Sequence, residues 1–120
     1  MFDVKRLILI GLLLVLCDIP WLWASASMSH PMFRKIQGGM PLEPRWAAAV
    51  PVYLALAYLL QLAQSTVEAG LIGLSTYAVY DFTNLTTLTN YSATVAIADS
   101  VWGGVLFMIV RELGLRLGLL

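Results

Sequence analysis

Four stretches of this 120-residue chain are almost wholly apolar, and polar residues collect between them. A helix needs about 20 largely apolar residues to cross a bilayer, and residues 7–26, 46–62, 67–83 and 93–110 approach that length. Asp18 and Pro20 alone interrupt the first stretch, while Trp46, Tyr53 and Tyr58 mark the second as interfacial anchors or packing groups. The alternation of a transmembrane barrel is absent, and open strands cannot satisfy their backbone in lipid. The pattern predicts an all-α, four-helix transmembrane bundle, with residues 1–120 as one domain.

The connections differ in character. Residues 27–45 form the longest, with His30, Arg34, Lys35, Glu43 and Arg45. Inside it, Met28, Met32, Phe33 and Ile36 share one helical face and Arg34 and Lys35 the other. Pro31 suits a first turn and Gly38-Gly39 a stop, so residues 31–37 are expected to form a short interfacial helix between helices one and two. The very short link between helices two and three makes them an antiparallel hairpin. Residues 84–92 form an uncharged loop, and residues 111–120 are expected to prolong helix four.

Composition strengthens the membrane reading. Hydrophobic residues make up 60% of the chain and charged ones only 12%, about half the proportion of an average soluble domain. A soluble fold this short could not cover so much apolar surface. The formal net charge of zero argues against nucleic acid as a partner, because phosphate binding needs a basic excess. The lone Cys17 excludes an intrachain disulfide.

Lys5, Arg6, the apolar run 7–17 and Ala24-Ser25-Ala26 look like a secretory signal with its cleavage site. Bulky Leu16 before Cys17 speaks against a lipoprotein, and the segment is expected to be retained as the first span. Four spans place Lys5, Arg6, Arg111 and Arg116 on one side and Arg34, Lys35 and Arg45 on the other. That near balance leans only slightly toward cytoplasmic termini in a bacterial-type inner membrane.

Candidate chemistry enters through the carboxylates. At about 1.5 Å per helical residue, Asp18 lies roughly 16 Å and Asp81 about 20 Å in from the terminal side. Asp99, on an antiparallel helix, falls about 20 Å from that same side of a core about 30 Å thick. Each occupies a marked face: Gly11, Leu14, Asp18, Trp21 and Ser25; then Gly70, Gly73, Tyr77, Tyr80, Asp81 and Asn84; then Asp99, Trp102 and Gly103. Asp-x-x-Trp occurs twice, at Asp18/Trp21 and Asp99/Trp102, where an indole can cover a carboxylate or donate beside it. No lysine or arginine falls inside the four stretches. Two carboxylates about 4 Å apart repel by about 4 kcal/mol at an effective dielectric of 20. The cluster is therefore expected to hold protons, a cation, or basic groups reaching down from the loop. Pro20 leaves the Leu16 carbonyl without its helical donor close to Asp18.

A plainer reading stands beside this one: a buried aspartate can simply fasten helices together. Three at one depth among tyrosines and tryptophans favour a binding site, since such groups are costly in lipid. Glu68, at a helix start, reads as a dipole partner, and His30 as a polar loop residue. Asn84-Leu85-Thr86 and Asn90-Tyr91-Ser92 match the glycosylation pattern but lie too near the membrane to expect modification. Phosphate-loop, Cys-x-x-Cys, His-Glu-x-x-His and Gly-x-Ser-x-Gly motifs are missing from the sequence. No metal or cofactor is identified by the residues.

Asp18-Ile-Pro-Trp21-Leu22, Pro31-x-Phe33-Arg34, Tyr80-Asp81-Phe-Thr83-Asn84-Leu85 and Asp99-x-x-Trp102-Gly103 resemble an uncharacterised predicted membrane protein family, the domain of unknown function two-one-seven-seven. The resemblance covers nearly the whole chain. It implies a four-helix membrane protein and singles out Asp18, Asp81, Asn84, Asp99 and Trp102, without implying a reaction. The second and third stretches are shorter than that family leads one to expect.

The leading expectation is a small multi-pass membrane protein that binds or translocates a proton, cation or small solute. Its binding residues would be Asp18, Asp81, Asp99, Asn84, Tyr80, Tyr77, Trp21 and Trp102. The partners expected are the lipid bilayer and a homo-oligomer or larger membrane assembly. The alternatives are a membrane enzyme on lipid or isoprenoid substrates, and a structural subunit whose aspartates act as interhelical glue.

Overall fold

A computed structural model describes residues 3–120. These residues form four helices: α1 Val4–Ile36, α2 Ala49–Gln61 preceded by the 3-10 turn Trp46–Ala48, α3 Thr66–Thr87 and α4 Ala93–Arg116. Among the described residues there is no strand.

Helix starts follow local chemistry. Asp3 accepts from the Arg6 amide, Ser65 from the Glu68 amide and Ser92 from the Val95 amide, each satisfying an otherwise orphaned donor. Glu68 lies in the first turn of α3 as expected.

α1 departs from expectation. It runs unbroken for 33 residues, about 50 Å, through both Pro20 and Pro31. Residues 31–36 are its last turns rather than a separate interfacial helix, and His30 is an exposed helical residue, not a loop one. A proline inside a helix costs about 3 kcal/mol, and packing accounts for the continuity. Met32 is buried with Tyr91 and Ala96, while Phe33 and Ile36 pack against the same cluster. Three residues of that apolar face, Met32, Phe33 and Ile36, are thus covered by the turn between α3 and α4, while Met28 stays exposed. The glycine stop does hold: Gly38 and Gly39 take φ of 67° and 89°, and the Gly39 amide returns to the Arg34 carbonyl at 2.8 Å.

α3 continues four residues beyond the expected Thr83, which places Asn84 within the helix and shortens the loop to residues 88–92. Thr86 and Thr87 hydroxyls donate to the Phe82 and Thr83 carbonyls and stabilise that last stretch. α4 extends to Arg116, as residues 111–120 suggested.

α1 packs on α2 and on α4, and α3 packs closely on α4, whereas α2 and α3 touch little. Glycine makes the α3–α4 approach close. A Cβ on Gly73 would run into the Gly103 carbonyl and the Phe107 ring, and one on Gly70 would meet Met108. Around this seam Ile10, Leu14, Leu60, Leu106, Phe107 and Val110 are fully buried. Arg111, one helical turn past Phe107, donates to the Ala63 carbonyl at 2.8 Å and ties α4 to the end of α2.

Outside this core the helices are coated with apolar side chains, among them Leu12, Leu16, Leu22, Trp23 and Val101. Among the described residues two helices, α1 and α4, are long and apolar enough to cross a membrane.

Candidate functional site

The second half of α1, the start of α2, the second half of α3 and the start of α4 enclose a cavity of about 370 Å³. Asp18, Asp81 and Asp99 all line it, so depth counting along separate helices does bring the three carboxyl groups to one place. Their environments nevertheless differ.

Asp18 is fully engaged. Tyr53 on α2 donates to Oδ2 at 2.6 Å and Trp102 on α4 donates to Oδ1 at 2.7 Å. This one carboxyl group joins three helices through two hydrogen bonds. Asp99 accepts from the Trp21 indole at 2.9 Å. The two Asp-x-x-Trp motifs are therefore exchanged. Each indole donates to the aspartate of the other helix, and the two rings stack with centroids 5.6 Å apart. Residues three apart on a helix share a face, and here that shared face is turned toward its counterpart on the neighbouring helix.

Asp81 is different again. It is fully buried, and its Oδ1 accepts from Tyr91 at 2.7 Å. Its Oδ2 is buried without a hydrogen-bond partner, and Asp99 lines the same cavity. A buried carboxylate oxygen without a donor is costly. Burial, and next the bond to Asp81, push the Tyr91 phenol above its ordinary range, which keeps it a donor.

Tyr77 and Tyr80 line the cavity from α3, whereas Asn84, one turn beyond Tyr80 on the same helix, lies outside the lining. Tyr77 also packs its ring against Gly103, where a Cβ would collide with it. Tyr80 is 54% exposed and so forms a rim rather than a buried wall. Trp102 stands behind Asp18 as its donor. Sequence reasoning missed Tyr53 and Tyr91. Tyr53 passed as an anchor and Tyr91 lay in an assumed loop, and no spacing linked either to an aspartate.

No basic side chain lines the cavity. Among the described residues no three His, Cys, Asp or Glu side chains are placed to hold a metal ion. The expected convergence of three aspartates is real, but it is not a cage. Asp18 spends both oxygens on protein donors, and the Asp81–Asp99 pair is left facing the cavity.

A family model described as a predicted membrane protein family, DUF2177, matches residues 4–115. The chain belongs to that family. All the residues that build the cavity lie inside the matched region, as do both Asp-x-x-Trp motifs. DUF2177 membership agrees with the apolar coat on the helices. No curated protein and no solved structure matches the chain.

Proposed function

We propose that this protein crosses the membrane with all four helices and takes up positive charge, a proton or a small cation, at the Asp81–Asp99 pair. The observation that carries the reading is Asp81 Oδ2, buried without a donor beside a second carboxylate. Two such groups repel unless a proton or cation stands between them, and no lysine or arginine lines the cavity to do so. The charged residues outside the cavity support the four crossings. Lys5, Arg6, Glu68, Glu112 and Arg116 fall at one end of the bundle, and Arg34, Lys35, Glu43 and Arg45 at the other.

Asp18 has a different part in this reading. With two donors on its oxygens it fastens α1, α2 and α4, and so holds the walls against which the pair works. The glue and binding readings of the aspartates then divide between residues.

Transport is tested in proteoliposomes. Proton or cation flux is expected in the wild-type chain and lost in Asp81→Asn and Asp99→Asn, with helicity unchanged by circular dichroism. Unchanged flux in both variants, or no flux in wild type with protons and common monovalent cations, sinks the proposal.

One observation favours a second reading, an enzyme on lipid or isoprenoid substrates. Val52 on α2 and Tyr80 on α3 both line the cavity and are exposed, and α2 and α3 touch little. A groove open sideways between those helices is what such an enzyme needs. Mass spectrometry of lipids from a strain lacking the protein decides it, and an unaltered profile counts against it.

A further inference from the structure

We infer that the cavity binds small lipophilic organic cations, with the Asp81–Asp99 pair facing the positive nitrogen and aromatic rings enclosing it. The inference rests on the reading of that pair as the place where positive charge is taken up, and adds the class of ligand.

Three observations select this class. The first is the lining: Trp21, Phe33, Tyr53, Tyr77, Tyr80 and Tyr91 surround the carboxyl groups. Aromatic rings attract cations to their faces, and aromatic enclosures are a recurrent solution for alkylammonium groups. A metal ion would instead need several oxygen or nitrogen ligands at short range, and no such group is present among the described residues. The second is size. A cavity of about 370 Å³ lies within the range of small-molecule sites and far exceeds what a bare ion fills. The third is access. Leu22, Met28, Val52 and Tyr80 line the cavity and are exposed, so it is reached from the apolar coat, where a lipophilic molecule concentrates. An anion would meet carboxylates and no basic group. A neutral apolar molecule would leave Asp81 Oδ2 without a partner.

The probe is benzyltrimethylammonium, titrated into the purified full chain in maltoside micelles and followed by calorimetry and tryptophan fluorescence. Its control is neopentylbenzene, in which carbon replaces the charged nitrogen at the same shape. Saturable one-to-one binding of the cation is expected, with binding of the neutral isostere at least tenfold weaker. Asp81→Asn and Asp99→Asn should each weaken cation binding tenfold or more. Tyr77→Leu should weaken it several-fold, while Tyr77→Phe, which keeps the ring against Gly103, should retain it.

Lysophosphatidylcholine separates two sources of such a nitrogen. Displacement of the probe assigns the site to a lipid headgroup, and no displacement to a free amine-type solute; both outcomes keep an organic cation in the cavity. Equal binding of the neutral isostere, wild-type binding by both Asn variants, or no saturable binding overturns the inference. If the probe fails to bind while aspartate-dependent proton flux persists in proteoliposomes, this inference falls alone. If that flux is absent as well, the reading beneath it falls too.

Discussion

The α3–α4 hairpin has two halves built on opposite principles. Near the turn from α2, Gly70 and Gly73 let the backbones of α3 and α4 meet, with Gly103 and Gly104 on the facing helix. Seven residues or so further along α3, Tyr77, Tyr80 and Asp81 face a cavity instead. The glycine half is closed by the side chains it lacks, and the cavity half is held open by those it has. Each half depends on the other. Phe107 and Gly103 fix the helix separation at the closed end, and that separation sets how far apart Asp81 and Asp99 stand at the open one.

The sharpest way to break this contrast is to put bulk in the seam. Gly73→Leu should destabilise the bundle by about 3 kcal/mol or more, because the added atoms meet backbone and a buried ring, neither of which can yield. Loss of the folded species in a denaturant titration in micelles checks it. A native-like unfolding midpoint would mean that the helices can separate there without cost.

Next comes Asp18→Ala, which leaves the Tyr53 hydroxyl and the Trp102 indole without their acceptor. Unsatisfied buried donors cost about 1–3 kcal/mol each, so a loss of about 3 kcal/mol is expected in the same titration. Asp18→Asn, which keeps one acceptor oxygen, should lose less.

Tyr91→Phe probes the open half more gently. Removing the donor to Asp81 Oδ1 should cost about 2 kcal/mol, within the range for a buried acceptor left without its partner, while the Phe33 contact at 5.9 Å is kept. His30→Ala, exposed on α1 away from both halves, should change stability by about 0.5 kcal/mol at most. A large effect there would reveal a contact outside the two halves.

Much of this layout is legible in the chain. Apolar runs and the Gly38-Gly39 stop are local properties, and the caps at Ser65 and Ser92, equally local, went unread. The common depth of three aspartates follows from helix rise alone. What stays hidden is partnership. Nothing in Asp18-x-x-Trp21 says that the indole will serve Asp99, because that depends on how two helices are rotated toward each other. The same holds for Tyr53 and Tyr91, whose acceptors lie on α1 and α3. Pro31 misleads for a related reason. Its local preference is for a helix start, and the burial of Met32 beneath Tyr91 and Ala96 outweighs it.

The exchanged tryptophans also bear on the order of assembly. Trp21 and Asp99 are separated by 78 residues, and Asp18 and Trp102 by 84. As the chain leaves the ribosome, α1 emerges first and the helix that satisfies it emerges last. Asp18 can take its Tyr53 bond once α2 is made, but the Trp102 bond to Asp18 and the Trp21 bond to Asp99 wait until α3 and α4 have followed. Completion of α4 is therefore the event that closes the latch, and a chain stopped after α3 should hold α1 through Tyr53 and α2 alone.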